Sequence, residues 1–459
     1  METELLVVGG GPAGYTAAIR GAQRGLDVAL VEDGLIGGTC LNHGCIPSKA
    51  LLSGTGTVHE METASEMGIY VEPYVDLGEM VAWKDGVVDR LTDGVAALCR
   101  QNGVELVDGF ARFVDERTVA VDDGREIEFE NAVLATGSRP ITLPGFGFDA
   151  DPIWDSRRAL AAERAPPRLL VVGAGYIGME LSTIFARLGS DVTVVEMLEE
   201  PLPQYESDLT DPVLESVAEL GVDINFGEAA TNWHEDGRDV VVTTETEDGE
   251  ESTYSVDEVL VAVGREPVTA GLNLGAAAVE TDDRGFVETD EHGRTTAENV
   301  FAVGDVAGEP MLAHAGMHEG IVAAETVAGE DPPEARAVPA VVFTAPEIAT
   351  VGLNPDEARA EGIDPLVGEF PFSASGRAMT TREATGFVRL VAAGDGRVVG
   401  GQIVGPEASE LIAEIGLAVQ EGVTLEAVAE TIHTHPTLSE ATMEAAEHAL
   451  GRAIHTANR

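Results

Sequence analysis

"LLVVGGGPAGY" (Leu5–Tyr15) and "LLVVGAGYIGME" (Leu169–Glu180) are two copies of one unit. Gly9, Gly11 and Gly14 spell G-x-G-x-x-G in the first copy; Gly173, Gly175 and Gly178 spell it in the second. Each follows an apolar, β-branched strand and opens a helical pattern. Each then reaches a second strand that ends in an acid, "VALVE" at Glu32 and "VTVVE" at Glu196. The acid trails the third glycine by 18 residues both times, so the unit recurs at an offset of 164. A lone G-x-G-x-x-G reads as well as a glycine-rich turn of no function. Within strand, turn, helix, strand and acid it reads as a dinucleotide site. The first glycine makes the turn, the second lets backbone approach a pyrophosphate, and the third lets helix pack on strand. The pyrophosphate then meets free N–H groups at a helix N-terminus.

Glu32 and Glu196 suit ribose hydroxyls. Glu196 repels a 2′-phosphate, and "MLEEPLPQYE" after it holds no arginine to accept one. The second site therefore reads as NAD rather than NADP.

Two further segments echo each other, "AVLATGSRP" (132–140) and "VLVAVGREP" (259–267), both strands ending in a glycine turn. "ENVFAVGDVA" places a strand before Asp305, and "MLAHAGMHEG" opens a helix after it. Taken alone, Asp305 reads as a helix cap. "DPPEARAVP" (331–339) reads as a linker, followed by alternating strand patterns and then helical patterns from Ala408 to the end. The expected organisation is 1–145 for the first nucleotide-binding domain and 146–267 for the second. A central domain at 268–338 completes the first site, and a C-terminal α+β domain spans 339–459.

Of 459 residues 44% are apolar, so real cores are affordable, yet the net charge is −54. The acid is spread along the chain. At low salt such charge weakens the fold by self-repulsion, whereas molar salt shortens the screening length to ~3 Å. With 81 acidic against 27 basic residues, the chain reads as adapted to a salt-filled cytoplasm. Full fold and activity in dilute buffer would contradict this. The balance argues against nucleic acid and anionic membrane as partners. No apolar run approaches the ~20 residues of a membrane span, and no leader pattern is visible, so the expected location is the cytoplasm.

"GGTCLNHGCIPSKALL" (37–52) holds two of the three cysteines, Cys40 and Cys45, and one of only two lysines, Lys49. Two cysteines alone make a poor zinc site, and a close pair in a reducing compartment points to redox chemistry. Cys45 precedes a helical start, which lowers a thiol's pKa; Lys49 acts the same way one turn on, and Cys40 reads as part of the glycine-rich turn before. Cys99 reads as a packed apolar residue, and Lys84 as a leftover surface lysine. A dithiol beside two dinucleotide sites suggests an electron path from thiols to flavin to nicotinamide.

The whole chain resembles the flavoprotein disulfide reductases, and among them the dihydrolipoamide dehydrogenase family. "GGTCLNHGCIPSK" matches the redox segment and "HTHPTLSE" (433–440) the C-terminal signature. The resemblance implies two Rossmann-like dinucleotide-binding domains plus a C-terminal α+β dimerisation domain, with FAD on the first fingerprint and NAD on the second. Gly38, Thr39, Ala135, Thr136, Gly137, Asp305 and Ala313 would line the flavin site, with Gly264 also at the cofactors. Lys49 would lie at the flavin's reactive edge, paired with Glu180; arginine is not interchangeable there. Cys40 would meet the substrate sulfur and Cys45 the flavin. His435 would be the general base, oriented by Glu440, acting across a homodimer interface; His433 competes for that role. The substrate would be a lipoyl-bearing protein of a 2-oxo acid dehydrogenase or glycine cleavage complex. No metal is expected.

His43, between the cysteines, departs from the family's usual small apolar residue and reads as a neutral filler. The alternative activity is reduction of another low-molecular-weight disulfide. Mercuric reductases end in a vicinal cysteine pair that is absent here, and soluble transhydrogenases lack the cysteine present here as Cys40. A flavin-bound redox sensor without turnover would not need this full set of residues.

Overall fold

The computed structural model describes residues 1–122, 124–332, 335 and 337–458; residues 333, 334 and 336 of the expected linker lie outside them. The chain divides into two compact units, one of residues 1–167, 231–242 and 254–334, the other of 168–230, 243–253 and 335–459.

In the first unit Glu2–Val8 lies between Val28–Glu32 and Glu126–Leu134, all parallel. Glu105–Asp108 extends one edge and Val300–Ala302 pairs with Glu126–Leu134, again in parallel. Thr118–Val121 and Ala111–Asp115 continue from the same long strand as an antiparallel ladder. The run "LLVV" is apolar throughout because both faces of its strand are covered. Leu5 and Val7 pack with Ala17, Leu30, Cys99 and Ala323, while Leu6 and Val8 pack with Phe113, Val119, Leu134 and Val300 on the other face. The helix Pro12–Gln23 lies close to the helix Ala313–Val327, because a Cβ on Gly320 would meet the Ala13 carbonyl oxygen at 2.4 Å. Cys99 is fully buried, as expected of a packed residue.

The echoing segments of the sequence pair with each other. Ser138–Pro140 runs antiparallel to Arg265–Pro267, and Ile141 N–H donates to the Gly264 carbonyl at 3.0 Å. Lys84 is a correction: it is buried, donating from Nζ to the Leu160 carbonyl at 3.0 Å and pairing with Asp85 at 2.7 Å. Its flexible stem lets an ammonium reach a carbonyl inside the fold.

In the second unit, Arg168–Val172, Asp191–Glu196 and Asp223–Phe226 form a parallel ladder with the helix Tyr176–Arg187 following the fingerprint. The C-terminal part is a five-stranded antiparallel sheet in the order 340–342, 347–352, 398–405, 387–392, 366–371. The helices Ala408–Glu421, Leu425–Glu430 and Glu440–Ala449 contribute to one core with it, including Ile403, Ile415, Leu425 and Ala445. The buried Arg389 is held by Asp208, by Glu206 at 3.4 Å, by Glu369 at 3.2 Å and by Gln402 at 3.0 Å. The architecture is the expected one, Rossmann-like nucleotide-binding layers and a C-terminal α+β domain.

Candidate active site

Both fingerprints use their glycines as the sequence implies. A Cβ on Gly9 (φ +103°) would lie 2.3 Å from the Ala135 carbonyl oxygen, and one on Gly14 would lie 1.8 Å from the Gly9 oxygen. In the second copy, a Cβ on Gly178 would lie 2.0 Å from the Gly173 oxygen. The middle glycines are different. Around Gly11 the nearest atom is the Gly38 Cα at 3.9 Å, and around Gly175 there is nothing within 4 Å. Their φ values, −68° and −73°, suit any residue. Neither this chain's packing nor its backbone strain requires glycine there, whereas the close approach of a dinucleotide does. That observation fits FAD and NAD to the two sites.

The trailing acids do more than expected. Glu32 accepts N–H bonds from Gly10 at 2.5 Å and Gly34 at 3.0 Å. Glu196 repeats the pattern with Ala174 at 2.7 Å and Leu198 at 2.9 Å. Each carboxylate pins its own glycine loop and keeps lone pairs for ribose hydroxyls. Burial pushes the Glu32 carboxyl up, against the pull of these N–H groups.

The redox segment docks on the first fingerprint. Gly37 (φ +108°) donates its N–H to the Gly10 carbonyl at 2.8 Å. A Cβ on Gly38 would strike the Gly11 Cα at 2.6 Å. Cys40 sits on a short helix, Gly38–His43, and not in an open turn as expected. Asn42, which sequence reasoning passed over, is buried and donates to the carbonyls of Leu35, Ile36 and Gly38, while accepting from Thr92 at 2.8 Å. Its amide supplies the fixed points that turn a six-residue stretch into a helix. Gly44 separates this helix from Cys45–Thr63 and brings the ends together, since its Cβ would lie 3.1 Å from the Thr39 oxygen and 3.5 Å from the Cys40 Cα.

Cys45 therefore opens a helix of 19 residues, with Lys49 one turn on along the same face. Cys40 is half-buried and Cys45 is exposed. The hydrogen bond to Cys45, with burial and the charge of Cys45, pushes the Cys40 thiol well up, and Lys49 opposes this. Burial, with Arg157 beside it, pushes the His43 ring down and favours its neutral form.

Asp305 is not a helix cap. It lies in the short turn Gly304–Val306, and the next helix begins at Ala313. It accepts from the Ser138 hydroxyl, which itself accepts from Arg265 Nε at 2.7 Å. Thr136 is fixed by donating to the Val268 carbonyl at 2.6 Å, and Gly137 turns there with φ +71°. The strand pair joining the echoing segments thus carries a polar chain to Asp305.

In the second unit, Glu180 is buried on its fingerprint helix and accepts from Phe343 N–H at 3.1 Å. The two candidate bases separate clearly. The His433 side chain is 6% exposed, with Nε2 on Glu414 at 2.9 Å and Nδ1 against the Thr431 carbonyl at 2.9 Å. His435 is 80% exposed; its Nδ1 meets Glu440 at 3.0 Å. Glu440 is fixed in turn by Thr437 N–H at 2.9 Å. Burial acts to raise the Glu440 carboxyl, yet that N–H and the His435 ring hold it below its ordinary value. His435 is the ring with a nitrogen open for proton transfer.

Residues 3–320 match the model of the pyridine nucleotide-disulphide oxidoreductases. The chain belongs to this family. Residues 338–446 match the dimerisation domain of the same oxidoreductases, which supports a homodimer. Dihydrolipoyl dehydrogenases of Haloferax volcanii and Halobacterium salinarum are each 58% identical, over 100% of this chain and 98% of theirs. That of Thermus scotoductus is 46% identical over 99% of both chains. The crystal structure of LpdA from Mycobacterium tuberculosis superposes with a TM-score of 0.90 at 30% identity, over 97% of this chain and 99% of that one. As an oxidoreductase of this family, the chain takes FAD and NAD(H) as cofactors. Relatives from salt-loving organisms accord with its acidic surface. Among the described residues, no helix is long and apolar enough to cross a membrane.

Proposed function

We propose that this protein is a dihydrolipoyl dehydrogenase, oxidising protein-bound dihydrolipoyl groups to lipoyl and passing the electron pair to NAD+. The observation that carries the reading is a dithiol at abutting helix ends, docked through Gly38 on the first nucleotide loop. The full-length relatives bearing that name support it.

Bound FAD supplies the two-electron link between the dithiol and NAD+. In the oxidised protein Cys40 and Cys45 share a disulfide. His435 Nε2 takes the proton of one dihydrolipoyl thiol, and the resulting thiolate attacks the Cys40 sulfur. The Cys40–Cys45 bond breaks and Cys45 leaves as thiolate. His435 passes its proton to the departing Cys40 and takes that of the second dihydrolipoyl thiol, whose sulfur closes on the mixed disulfide, so that the reduced protein holds one proton on Cys40, one on His435 and the negative charge on Cys45. The raised Cys40 thiol and the place of Cys45 at the start of a helix support this division, in which the negative charge rests on Cys45. Glu440 keeps His435 in the tautomer with Nε2 free to accept. The exposed His435 serves the thiols of a second copy, so a monomer is inactive. The lipoyl group arrives on a partner in the cytoplasm, from a 2-oxo acid dehydrogenase or glycine cleavage complex.

The test is NAD+ reduction by dihydrolipoamide with FAD-loaded protein in concentrated KCl, NADP+ being run in parallel. Turnover with NAD+ alone is expected. No turnover from protein that NADH still reduces would favour another disulfide as substrate.

A further inference from the structure

The helix Glu440–Ala449 carries two acids four residues apart, Glu440 and Glu444, and each meets a histidine. His435 Nδ1 lies 3.0 Å from Glu440 Oε1; His455 Nδ1 lies 2.5 Å from Glu444 Oε1. The Glu444 side chain is only 6% exposed, and its Oε2 is buried with no hydrogen-bond partner. The tail is folded to present His455. Arg452 N–H returns to the Glu447 carbonyl at 2.9 Å. Asn458 then clamps Ala453, accepting its N–H at 2.7 Å and donating to its carbonyl at 3.0 Å.

We propose that His455 and Glu444 form a second histidine–carboxylate pair that positions and tunes the reactive pair His435–Glu440 one helical turn away. The inference rests on the function proposed above and adds two positioning residues to it.

Acids at i and i+4 on one helix face repel. A buried, half-satisfied Glu444 carboxylate therefore adds to the negative field at Glu440 and at the His435 ring that Glu440 holds, and that field favours protonation of the ring. A cationic His455 cancels that field. The hydrogen bond and charge of Glu444, with a contribution from Glu440, push the His455 ring up, so both acids act on it. Other charged groups on the neighbouring elements are largely engaged elsewhere. Glu369 pairs with Arg389, His433 with Glu414, and Arg452 with Glu447. His448 accepts from Glu369 N–H. Glu426 and Glu430, on the helix Leu425–Glu430, add only negative charge.

Removing the His455 cation makes His435 easier to protonate, so the base is lost at higher pH. In FAD-loaded His455→Gln protein, the acid limb of kcat/KM for dihydrolipoamide should move up by about half a pH unit, a roughly threefold loss on the acid side that vanishes at high pH. The double variant Glu444→Gln/His455→Gln removes both charges and should return the limb toward its original position. NMR titration of the His435 ring in histidine-labelled protein reads the same shift without turnover. It therefore decides even if the protein does not oxidise dihydrolipoamide. An unmoved His435 titration in His455→Gln, or a double variant displaced as far as the single one, would overturn the proposal.

Discussion

The two fingerprint copies share a framework and differ in the segment attached after it. In both, the acid that ends the second strand accepts two backbone N–H bonds across its loop. In both, the chain then returns and donates a backbone N–H to the residue between the first two glycines, Gly37 to Gly10 at 2.8 Å and Leu202 to Ala174 at 3.1 Å. Both returning residues have positive φ, +108° for Gly37 and +48° for Leu202. Beyond that point the copies diverge. The first continues into Cys40, Cys45 and Lys49; the second continues from an acid-rich segment without a cation. On the function proposed above, dinucleotide binding would belong to the repeated framework and thiol chemistry to the segment carried by one copy alone.

That division is broken or sharpened most strongly at the thiols. Cys45→Ser should abolish dihydrolipoamide oxidation, by about 10³-fold or more, as expected when a covalent participant is removed. FAD should stay bound, and NADH should still reduce an artificial dye. Loss of FAD instead would show that the attached segment also builds the framework. His435→Gln should cost about 10²–10⁴-fold in the same assay, the usual contribution of a positioned base. A variant at His433, by contrast, should mainly affect stability. In the second copy, Glu196→Gln should weaken NAD+ by about tenfold through loss of charge-assisted hydrogen bonds, measured as KM, with thiol oxidation in the absence of NAD+ unchanged. Lys84→Met should lower unfolding free energy by about 1–3 kcal/mol, because the buried Leu160 carbonyl loses its donor, while kcat stays level. His43→Val should do least. Its depressed pKa leaves the ring neutral above its ordinary titration range, so the pH–rate profile should not move.

Much of this was legible in the sequence where the signal is local and periodic. The strand–glycine–helix–acid unit dictates its own fold, and the start of a helix at Cys45 is set by the residues after it. The parts that were hidden depend on partners distant in the chain. Nothing near Lys84 announces the Leu160 carbonyl that buries it. Asp305 looks like a cap until Ser138 and Arg265 are seen to approach it from a strand pair whose two segments lie more than a hundred residues apart. Asn42 drew no reading from the sequence, although three carbonyls and Thr92 converge on it. His433 and His435 cannot be told apart by spacing; burial and Glu414 separate them. The roles of Glu32 and Glu196 as loop pins were likewise invisible, because the acids serve the chain before they serve a ribose.

The most direct test of the claim that the first copy couples thiols to a bound flavin is an anaerobic titration of FAD-loaded protein with dihydrolipoamide, without NAD+. The first two electrons should produce long-wavelength thiolate-to-flavin absorbance, absent in Cys45→Ser. Bleaching of the flavin with no such band, or a band that persists in Cys45→Ser, would contradict the claim.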